Sequence, residues 1–230
     1  MKKLRPNKYY LLLKNWWEAM DLTNYEKCYF NKEIISFNQQ LFRCKEKKIR
    51  IGIYGKSGVG KSSILNSFFK KDIFKSDIIN GTTKEIQLEE CRLKESKLKS
   101  IELLDSPGFD FCNIKCPDKI YSKIIYSDLI LFVVAGDINR NEVNKISSLI
   151  KEGKKIIVIL NKIDLFKKNE LKEVNENIKF KLPKDSNIPI IINHKDNLKH
   201  YITQTITQYG EMLITLNSLQ LSDKLFLKII

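Results

Sequence analysis

The sequence predicts an α/β fold with a mostly parallel central sheet and helices on both faces of that sheet. Apolar runs that are typical of buried strands lie at 48–55, 128–137 and 154–164. Segments with helical spacing separate these runs, and a glycine-rich stretch follows the first of them. Parallel strands need crossovers that cover both sheet faces, so nearly continuous apolar strands alternating with helices indicate this class. In such a fold, ligands bind at the carboxyl ends of the strands.

The N-terminal segment predicts two amphipathic helices between residues 9 and 46, with a break near Asp21–Asn24. Its aromatic and aliphatic residues recur at three- and four-residue spacing, which is the helical pattern. Three interpretations of this apolar segment stay open. It packs against the rest of the chain, it forms a dimer surface, or it docks on a membrane surface through lysines that lie beside aromatic rings.

The remaining elements follow in regular order. Strands are predicted at 48–55, 85–93, 98–108, 128–137, 154–164 and 188–194. Helices are predicted at 62–69, 142–153, 168–182 and 197–219, the last with a break near Gly210. Apolar runs favour the strands, and a glycine marks the end of the helix at 142–153.

The composition indicates a globular protein of the cytoplasm. Hydrophobic residues make up 43% of the 230 positions, which is too apolar for a disordered chain. The formal net charge of +14 favours a nucleic acid, a ribosome or an anionic membrane as partner, although the lysines are spread along the chain. The five cysteines include no CxxC pair, so we read them as reduced thiols. No stretch reaches the roughly 18 apolar residues of an integral membrane span.

Residues 55–63 read GKSGVGKSS and fit the phosphate-loop pattern G-x-x-x-x-G-K-[ST] between a predicted strand and a predicted helix. The glycines let the backbone approach phosphates, and the amides of residues 58–62 then point towards them. We expect Lys61 to bridge the β- and γ-phosphates and the Ser62 hydroxyl to bind Mg²⁺. The predicted phosphate-binding residues are Gly55, Lys56, Ser57, Gly58, Val59, Gly60, Lys61, Ser62 and Ser63.

Two further motifs follow predicted strands. NKID at 161–164 indicates guanine, because the Asp164 carboxylate can accept hydrogen bonds from guanine N1–H and the exocyclic amine together, which adenine does not offer. We expect Asn161 to tie this loop to the phosphate loop and the stem of Lys162 to cover the base. DSPG at 105–108 places Asp105 in the Mg²⁺ shell through a water and the Gly108 amide at the γ-phosphate.

The joint pattern of these three motifs resembles the TRAFAC-class P-loop GTPases, more narrowly the Era/septin-like group. The resemblance implies a P-loop NTPase fold of the Ras-like G-domain type, with GTP or GDP and Mg²⁺ as ligands. GTTKE at 81–85 is similar to the family's switch I, which makes Thr83 the match for its Mg²⁺-binding threonine, with Thr82 as second choice. Lys61 and Thr83 are thus the expected catalytic residues. The family's last guanine loop is matched only loosely, by Asn193 and His194.

The departures from this family pattern predict slow hydrolysis. Phe109 stands where a Ras-type enzyme carries the glutamine that orients water, and an apolar ring cannot replace it. Some relatives hold a potassium ion with an asparagine of the phosphate loop, and Gly58 stands at that position. We therefore expect a partner, or a second copy of the chain, to supply the missing group.

The resemblance covers roughly residues 48–210 and divides the chain into an N-terminal helical segment (1–47), a G domain (48–210) and a C-terminal helical extension (211–230). The stretch GKSGVGKSSILNSFF, in a small to medium domain behind an N-terminal helical segment, resembles the bacterial YfjP-like GTPases most. The predicted function is a molecular switch that hydrolyses GTP to GDP and phosphate.

Two alternatives stay open: a membrane-associated, self-assembling GTPase similar to dynamins and immunity-related GTPases, and a GTP-binding scaffold without useful hydrolysis. The partners that fit these functions are guanine nucleotide, a second copy in a homodimer, a ribosome, RNA, and an anionic membrane surface. The expected location is the cytoplasm, including the periphery of a membrane.

Overall fold

The computed structural model describes residues 8–69, 74, 86–92, 97–110, 117–194 and 197–229. Its strands are β1 (Lys48–Gly55), β2 (Gln87–Arg92), β3 (Ser100–Asp105), β4 (Leu129–Val134), β5 (Ile156–Leu160) and β6 (Ile190–Ile192). Its helices are α1 (Lys8–Ala19), α2 (Asn24–Tyr29), α3 (Asn31–Glu46), α4 (Lys61–Phe69), α5 (Pro117–Ile124), α6 (Arg140–Lys151), α7 (Lys168–Lys181) and α8 (Asn197–Ile229). Short 3-10 turns lie at Ile163–Leu165 and Lys184–Ser186.

The strands form one six-stranded sheet in the order β2-β3-β1-β4-β5-β6. All neighbours pair in parallel except β2, which runs antiparallel to β3 at one edge. The central strand β1 pairs on both sides, so that Ile51 lies opposite Leu103 of β3 and Leu129 of β4. The mostly parallel sheet predicted from the apolar runs is thus confirmed, and the carboxyl ends of five strands share one edge.

Two apolar clusters cover the two faces of the sheet. On one face, alternate β1 residues such as Ile51 pack with Leu65 of α4 and Ile206 of α8. On the other face, Phe132 of β4 packs with side chains of α5, α6 and α7, among them Ile146. Each face of the sheet buries every second side chain of a strand, which explains why β4 and β5 read as unbroken apolar segments.

The N-terminal helices pack on the C-terminal helix. Phe37 of α3, which is almost fully buried, contacts Trp16 and Trp17 of α1 at ring-centroid distances of 5.7 and 5.2 Å. Leu225 of α8 and Leu13 of α1 belong to the same cluster. These residues of the aromatic segment therefore pack within the chain, as the first of the three interpretations expects.

A buried polar network lies beneath this helical layer, at the amino end of β4. Asp128 accepts hydrogen bonds from Gln40 Nε2 (3.0 Å), Asn217 Nδ2 (2.8 Å) and the Arg50 amide (2.7 Å). The Arg43 guanidinium lies 3.5 Å from the same carboxylate, and both side chains are buried. One carboxylate thus joins α3 and α8 to the first residues of the sheet.

Three features of the helices differ from the predictions. The second N-terminal helix is divided at Phe30 into α2 and α3, and Thr23 with Glu26 forms a capping box that starts α2. Helix α5 was not predicted, since its two turns bury only a short stripe that includes Ile120 and Ile124. Its first residue is a proline, which is favoured at that helical position.

The break predicted near Gly210 is wrong, because α8 runs without interruption from Asn197 to Ile229. A Cβ added at Gly210 would lie 2.4 Å from Leu98 Cδ1, so the glycine allows a close approach and does not end the helix. The predicted domain boundary at 210/211 falls inside this helix, and the division into three parts stays a prediction. Within the described residues, no helix is long and apolar enough to cross a membrane.

Candidate functional site

The glycine-rich loop connects the end of β1 at Gly55 to the start of α4 at Lys61. Gly58 and Gly60 adopt positive φ angles of 72° and 91°, which favour glycine. A Cβ at Gly60 would lie 2.3 Å from Asn161 Nδ2, so only glycine fits against the neighbouring loop. The loop therefore presents backbone amides at the amino end of a helix, an arrangement that binds phosphate.

Lys61 is buried at the first position of α4. Its Nζ donates a hydrogen bond to the carbonyl oxygen of Lys56 across the loop at 2.6 Å. Burial lowers the pKa of Lys61 to about 8, while the nearby charges of Asp105 and Asp110 act in the opposite direction. The ammonium group is therefore held inside the loop, where an anionic ligand would stabilise its charged form.

Ser62 and Asp105 bring two oxygen atoms together at the start of α4. The Ser62 hydroxyl donates a hydrogen bond of 2.6 Å to Asp105 Oδ2, and Asp105 is fully buried at the end of β3. A hydroxyl and a carboxylate are hard oxygen donors of the kind that Mg²⁺ prefers. These two residues thus fit the metal-binding roles predicted for them.

The DSPG turn lies directly on the phosphate loop. Ser106 Oγ donates to the Ile53 carbonyl at 2.6 Å, which fixes the start of the turn to β1. Gly108 is buried against Ser57, and a Cβ on Gly108 would lie 2.3 Å from the Ser57 amide nitrogen. The turn can lie this close only because residue 108 is glycine.

Phe109 turns towards the core from the position after this glycine. Its ring packs on Tyr54 of β1 at a centroid distance of 5.3 Å and on Phe132 of β4 at 6.2 Å. Its amide donates to the Gly55 carbonyl at 3.4 Å. The side chain is thus an apolar anchor for the turn and offers no group that could orient water.

Asn161 links three loops at the other end of the site. Its Nδ2 donates to the Val59 carbonyl of the phosphate loop at 2.8 Å, and its Oδ1 accepts from Asn193 Nδ2 at 2.7 Å. Lys162 adopts a left-handed conformation with φ 52°, and Asp164 is exposed in the 3-10 turn that follows. The predicted tie between NKID and the phosphate loop is therefore present as a hydrogen bond.

The predicted site residues gather at the carboxyl edge of the sheet, after β1, β3, β5 and β6. Ser63 and His194 are exposed members of this group. Thr82 and Thr83 lie outside the described residues. The site assignments themselves stay predictions, although the geometry brings the described members together.

Two acidic residues of the site were not predicted. Asp110 accepts a hydrogen bond from the Ser57 amide, and buried Glu142 of α6 forms an ion pair with Lys56 at 3.1 Å. The Glu142 position carries a sequence signal, since Asn139 and Glu142 form a capping box at the start of α6. That pattern predicts the helix start, and the contact with Lys56 depends on the fold.

Comparison with known proteins points to one class. A family model described as 50S ribosome-binding GTPase matches residues 50–162. GTPase Era from Borreliella afzelii (strain PKo) is 35% identical over an alignment of 118 residues, and the match covers 47% of this chain and 40% of Era. Era from Borreliella burgdorferi (strain ZS7) is 36% identical with the same coverage. The chain thus spans about two fifths of the length of these relatives.

Solved structures show the same fold. Era from Aquifex aeolicus bound to GDP.AlF4- has a TM-score of 0.60 at 23% identity. The superposition covers 70% of this chain and 56% of the Era chain. Era in complex with MgGDPNP and a segment of 16S ribosomal RNA has the same score, identity and coverage. Elongation factor SelB from Methanococcus maripaludis has a TM-score of 0.53 at 22% identity, covering 69% of this chain and 33% of that chain.

Proposed function

We propose that the chain is a P-loop GTPase that acts as a molecular switch with slow intrinsic hydrolysis. The typical ligands of this class are GTP or GDP and Mg²⁺. A partner or a second copy of the chain accelerates the conversion of GTP to GDP and phosphate. The packing of Phe109 on Tyr54 and Phe132 is the observation that supports this proposal most strongly. Within the class we favour the Era-like GTPases, and the resemblance to the septin and YfjP-like groups stays a prediction.

The phosphate end of the site would act mainly by position and charge. The amides of residues 58–62 surround the phosphates, and Lys61 holds its ammonium between the β- and γ-phosphates. Ser62 and Asp105 would hold Mg²⁺, joined by Thr83 or Thr82. A Mg²⁺ ion held by these residues would supply positive charge against the charge that develops on the phosphate oxygens. The Gly108 amide, held beside Ser57, faces the γ-phosphate.

The guanine end would select the base. The Asp164 carboxylate accepts from the N1–H and the amine of guanine, and the stem of Lys162 covers the ring. Asn161 keeps this turn in register with the phosphate loop through Val59. Asn193 supports Asn161, and His194 follows it at the rim of the site. Asn193 and His194 would thus take the place of the family's last guanine loop.

Base selection is tested with Asp164→Asn. The amide can donate to the carbonyl that xanthine carries where guanine has an amine, so affinity for xanthosine diphosphate should rise while affinity for GDP falls. Asp137→Asn is the matched control, since Asp137 pairs with Lys181 on the surface and is outside the proposed site. Titration of both nucleotides into each variant measures the ratio. Unchanged selectivity for GDP in Asp164→Asn would exclude the role assigned to this carboxylate.

RNA of the ribosome is the partner that we favour. The net charge of +14 and the similarity to Era, one structure of which holds 16S ribosomal RNA, support this choice. A protein that contacts several phosphates loses affinity steeply with salt. We expect the chain to bind a ribosomal RNA segment with an affinity whose logarithm falls linearly with the logarithm of the salt concentration. We also expect the bound RNA to accelerate GTP hydrolysis. RNA that binds without changing the hydrolysis rate would argue against it as the activator.

The exposed apolar groove between α1 and α8 favours the second candidate, a self-assembling GTPase at a membrane. Leu12, Leu219 and Phe226 line a cavity of about 420 Å³ there, and Leu12 is 63% exposed. Phosphatidylserine vesicles are the probe, and Leu12→Gln is the variant. Vesicle binding that Leu12→Gln weakens, with a hydrolysis rate that rises with protein concentration, would favour this candidate. GTP that stays intact for hours with RNA and vesicles present would favour the scaffold.

A further inference from the structure

Asp110 places a carboxylate on the phosphate loop. Its Oδ1 accepts a hydrogen bond of 2.6 Å from the Ser57 amide. A carboxylate that accepts from a loop amide makes the same kind of contact that phosphate oxygens make with such amides. The Asp110 carboxylate thus occupies a backbone amide of the phosphate loop in the way that a phosphate oxygen would. Asp110 belongs to none of the sequence motifs described above.

The carboxylate lies on the side of the loop where the terminal phosphate is expected. Asp110 follows Gly108 by two residues, and Gly108 packs directly on Ser57. Burial lowers the pKa of Lys61, and the charges of Asp105 and Asp110 act in the opposite direction. Ser62 and Asp105, the expected Mg²⁺ ligands, pair with each other at the start of α4. The Ser57 amide that Asp110 contacts thus lies beside the turn whose glycine is expected at the γ-phosphate.

We propose that Asp110 is a specificity-determining residue that disfavours GTP relative to GDP by holding the Ser57 amide with its own carboxylate. The proposal rests on the proposed function, because it requires guanine nucleotide at this loop. With GDP bound, the hydrogen bond between Asp110 and Ser57 persists. With GTP bound, the carboxylate either stays beside the γ-phosphate and repels it, or leaves and loses the hydrogen bond. Both costs fall on the triphosphate alone.

The contact also ties the DSPG turn to the nucleotide state. Ser106 fixes the start of the turn to β1, and Phe109 fixes its middle to Tyr54 and Phe132. The hydrogen bond of Asp110 brings a second negative charge to the phosphate loop, besides that of Asp105 beside Ser62. A triphosphate would therefore act on residue 110 first, while the anchors at Ser106 and Phe109 hold.

Two substitutions separate charge from contact. Asp110→Asn keeps an oxygen that can accept from Ser57 and removes the charge, whereas Asp110→Ala removes both. Fluorescently labelled GDP and the non-hydrolysable triphosphate GDPNP are titrated, with Mg²⁺, into the full chain and each variant. Since one hydrogen bond to an exposed charged group is involved, the ratio of GDPNP to GDP affinity should rise at least about fivefold in Asp110→Ala. In Asp110→Asn the ratio of GDPNP to GDP affinity should also rise.

Asp137→Asn is the matched control, because it removes the same charge at an exposed ion pair and should leave the ratio unchanged. A ratio that stays within about twofold of the wild type in both Asp110 variants would overturn the inference and leave the proposed function intact. Weaker GDPNP binding with unchanged GDP binding would also overturn it, since Asp110 would then support the triphosphate. A wild-type chain that binds neither nucleotide would instead refute the proposed function.

Discussion

The chemistry of the site depends at the residue scale on Lys61. The side chain enters the loop from the first turn of α4 and reaches back to the Lys56 carbonyl. Burial without a bound anion lowers its pKa to about 8, which is far below the usual value for lysine. An anionic ligand such as phosphate would therefore stabilise the charged form of Lys61 and raise its pKa again.

This lowered pKa predicts a pH dependence of nucleotide binding. Above pH 8 a growing share of the free protein carries neutral Lys61, and phosphate binding requires the charged form. GDP affinity should therefore fall by about tenfold between pH 7 and 9. Titrations at several pH values measure this, and Lys61→Arg is the control because a guanidinium stays charged. Parallel pH curves for lysine and arginine would contradict the explanation.

Single residues also show what sequence can predict. Lys61, Ser62, Asp105 and Asn161 could be assigned because each belongs to a short motif at the end of a recognisable strand. Asp110 could not be assigned in this way, since its contact with Ser57 depends on how two turns approach each other. The sequence carries residue types and spacings, whereas such a contact arises from the packing of Phe109 and Gly108.

At the element scale, the loops after β1, β5 and β6 depend on Asn161. Its two side-chain hydrogen bonds reach Val59 and Asn193, so one residue keeps the base end aligned with the phosphate end. Gly60 packs against the same side chain, and a Cβ there would lie 2.3 Å from Asn161 Nδ2. These loops are held to one another as well as to their own strands.

Asn161→Ala should therefore lower the free energy of unfolding by about 1–3 kcal/mol and weaken GDP binding, because it leaves partly buried partners unpaired. Asn193→Ala is the comparison, since it removes one hydrogen bond and leaves the contact with Val59 in place. Urea unfolding and GDP titration measure both variants. An equal or larger loss in Asn193→Ala would mean that the tie to the phosphate loop is not the important contact.

The strands could be predicted better than the helices. Apolar runs that are buried on both faces of the sheet predict β4 and β5 directly, and all six strands lie within the predicted ranges. Helix α5 was missed because its apolar stripe is short. The continuity of α8 could not be predicted from the sequence. Residue 210 is glycine because Leu98 packs closely against the helix there, and that contact is visible only in the fold.

At the scale of the whole molecule, the terminal helices and the sheet meet at one buried carboxylate. Asp128 joins Gln40 of α3, Asn217 of α8 and the backbone of β1, and it lies beside the buried Arg43 guanidinium. Desolvation lowers the pKa of Arg43, and the charge of Asp128 opposes this effect. The network lies at the amino end of β4, at the opposite edge of the sheet from the proposed nucleotide site. It therefore fixes the helical layer without taking part in the site.

Asp128→Ala should destabilise the folded chain by about 3–5 kcal/mol, because it leaves the buried Arg43 charge without its partner. Asp137→Ala removes an exposed ion pair with Lys181 and should cost less than about 1 kcal/mol. Urea unfolding of the two variants gives the comparison. Similar losses in both would show that the Asp128 network does not hold the terminal helices on the sheet.

Our central proposal is a site that binds guanine nucleotide and hydrolyses GTP poorly without help. Its most direct test is the rate of phosphate release from GTP by the purified chain, measured across protein concentrations with and without ribosomal RNA, vesicles and K⁺. The account predicts turnover of about 10⁻³ s⁻¹ or slower for the dilute chain alone, and a marked rise with concentration or with one of the additions. Rapid turnover by the dilute chain, independent of concentration and of every addition, would contradict it.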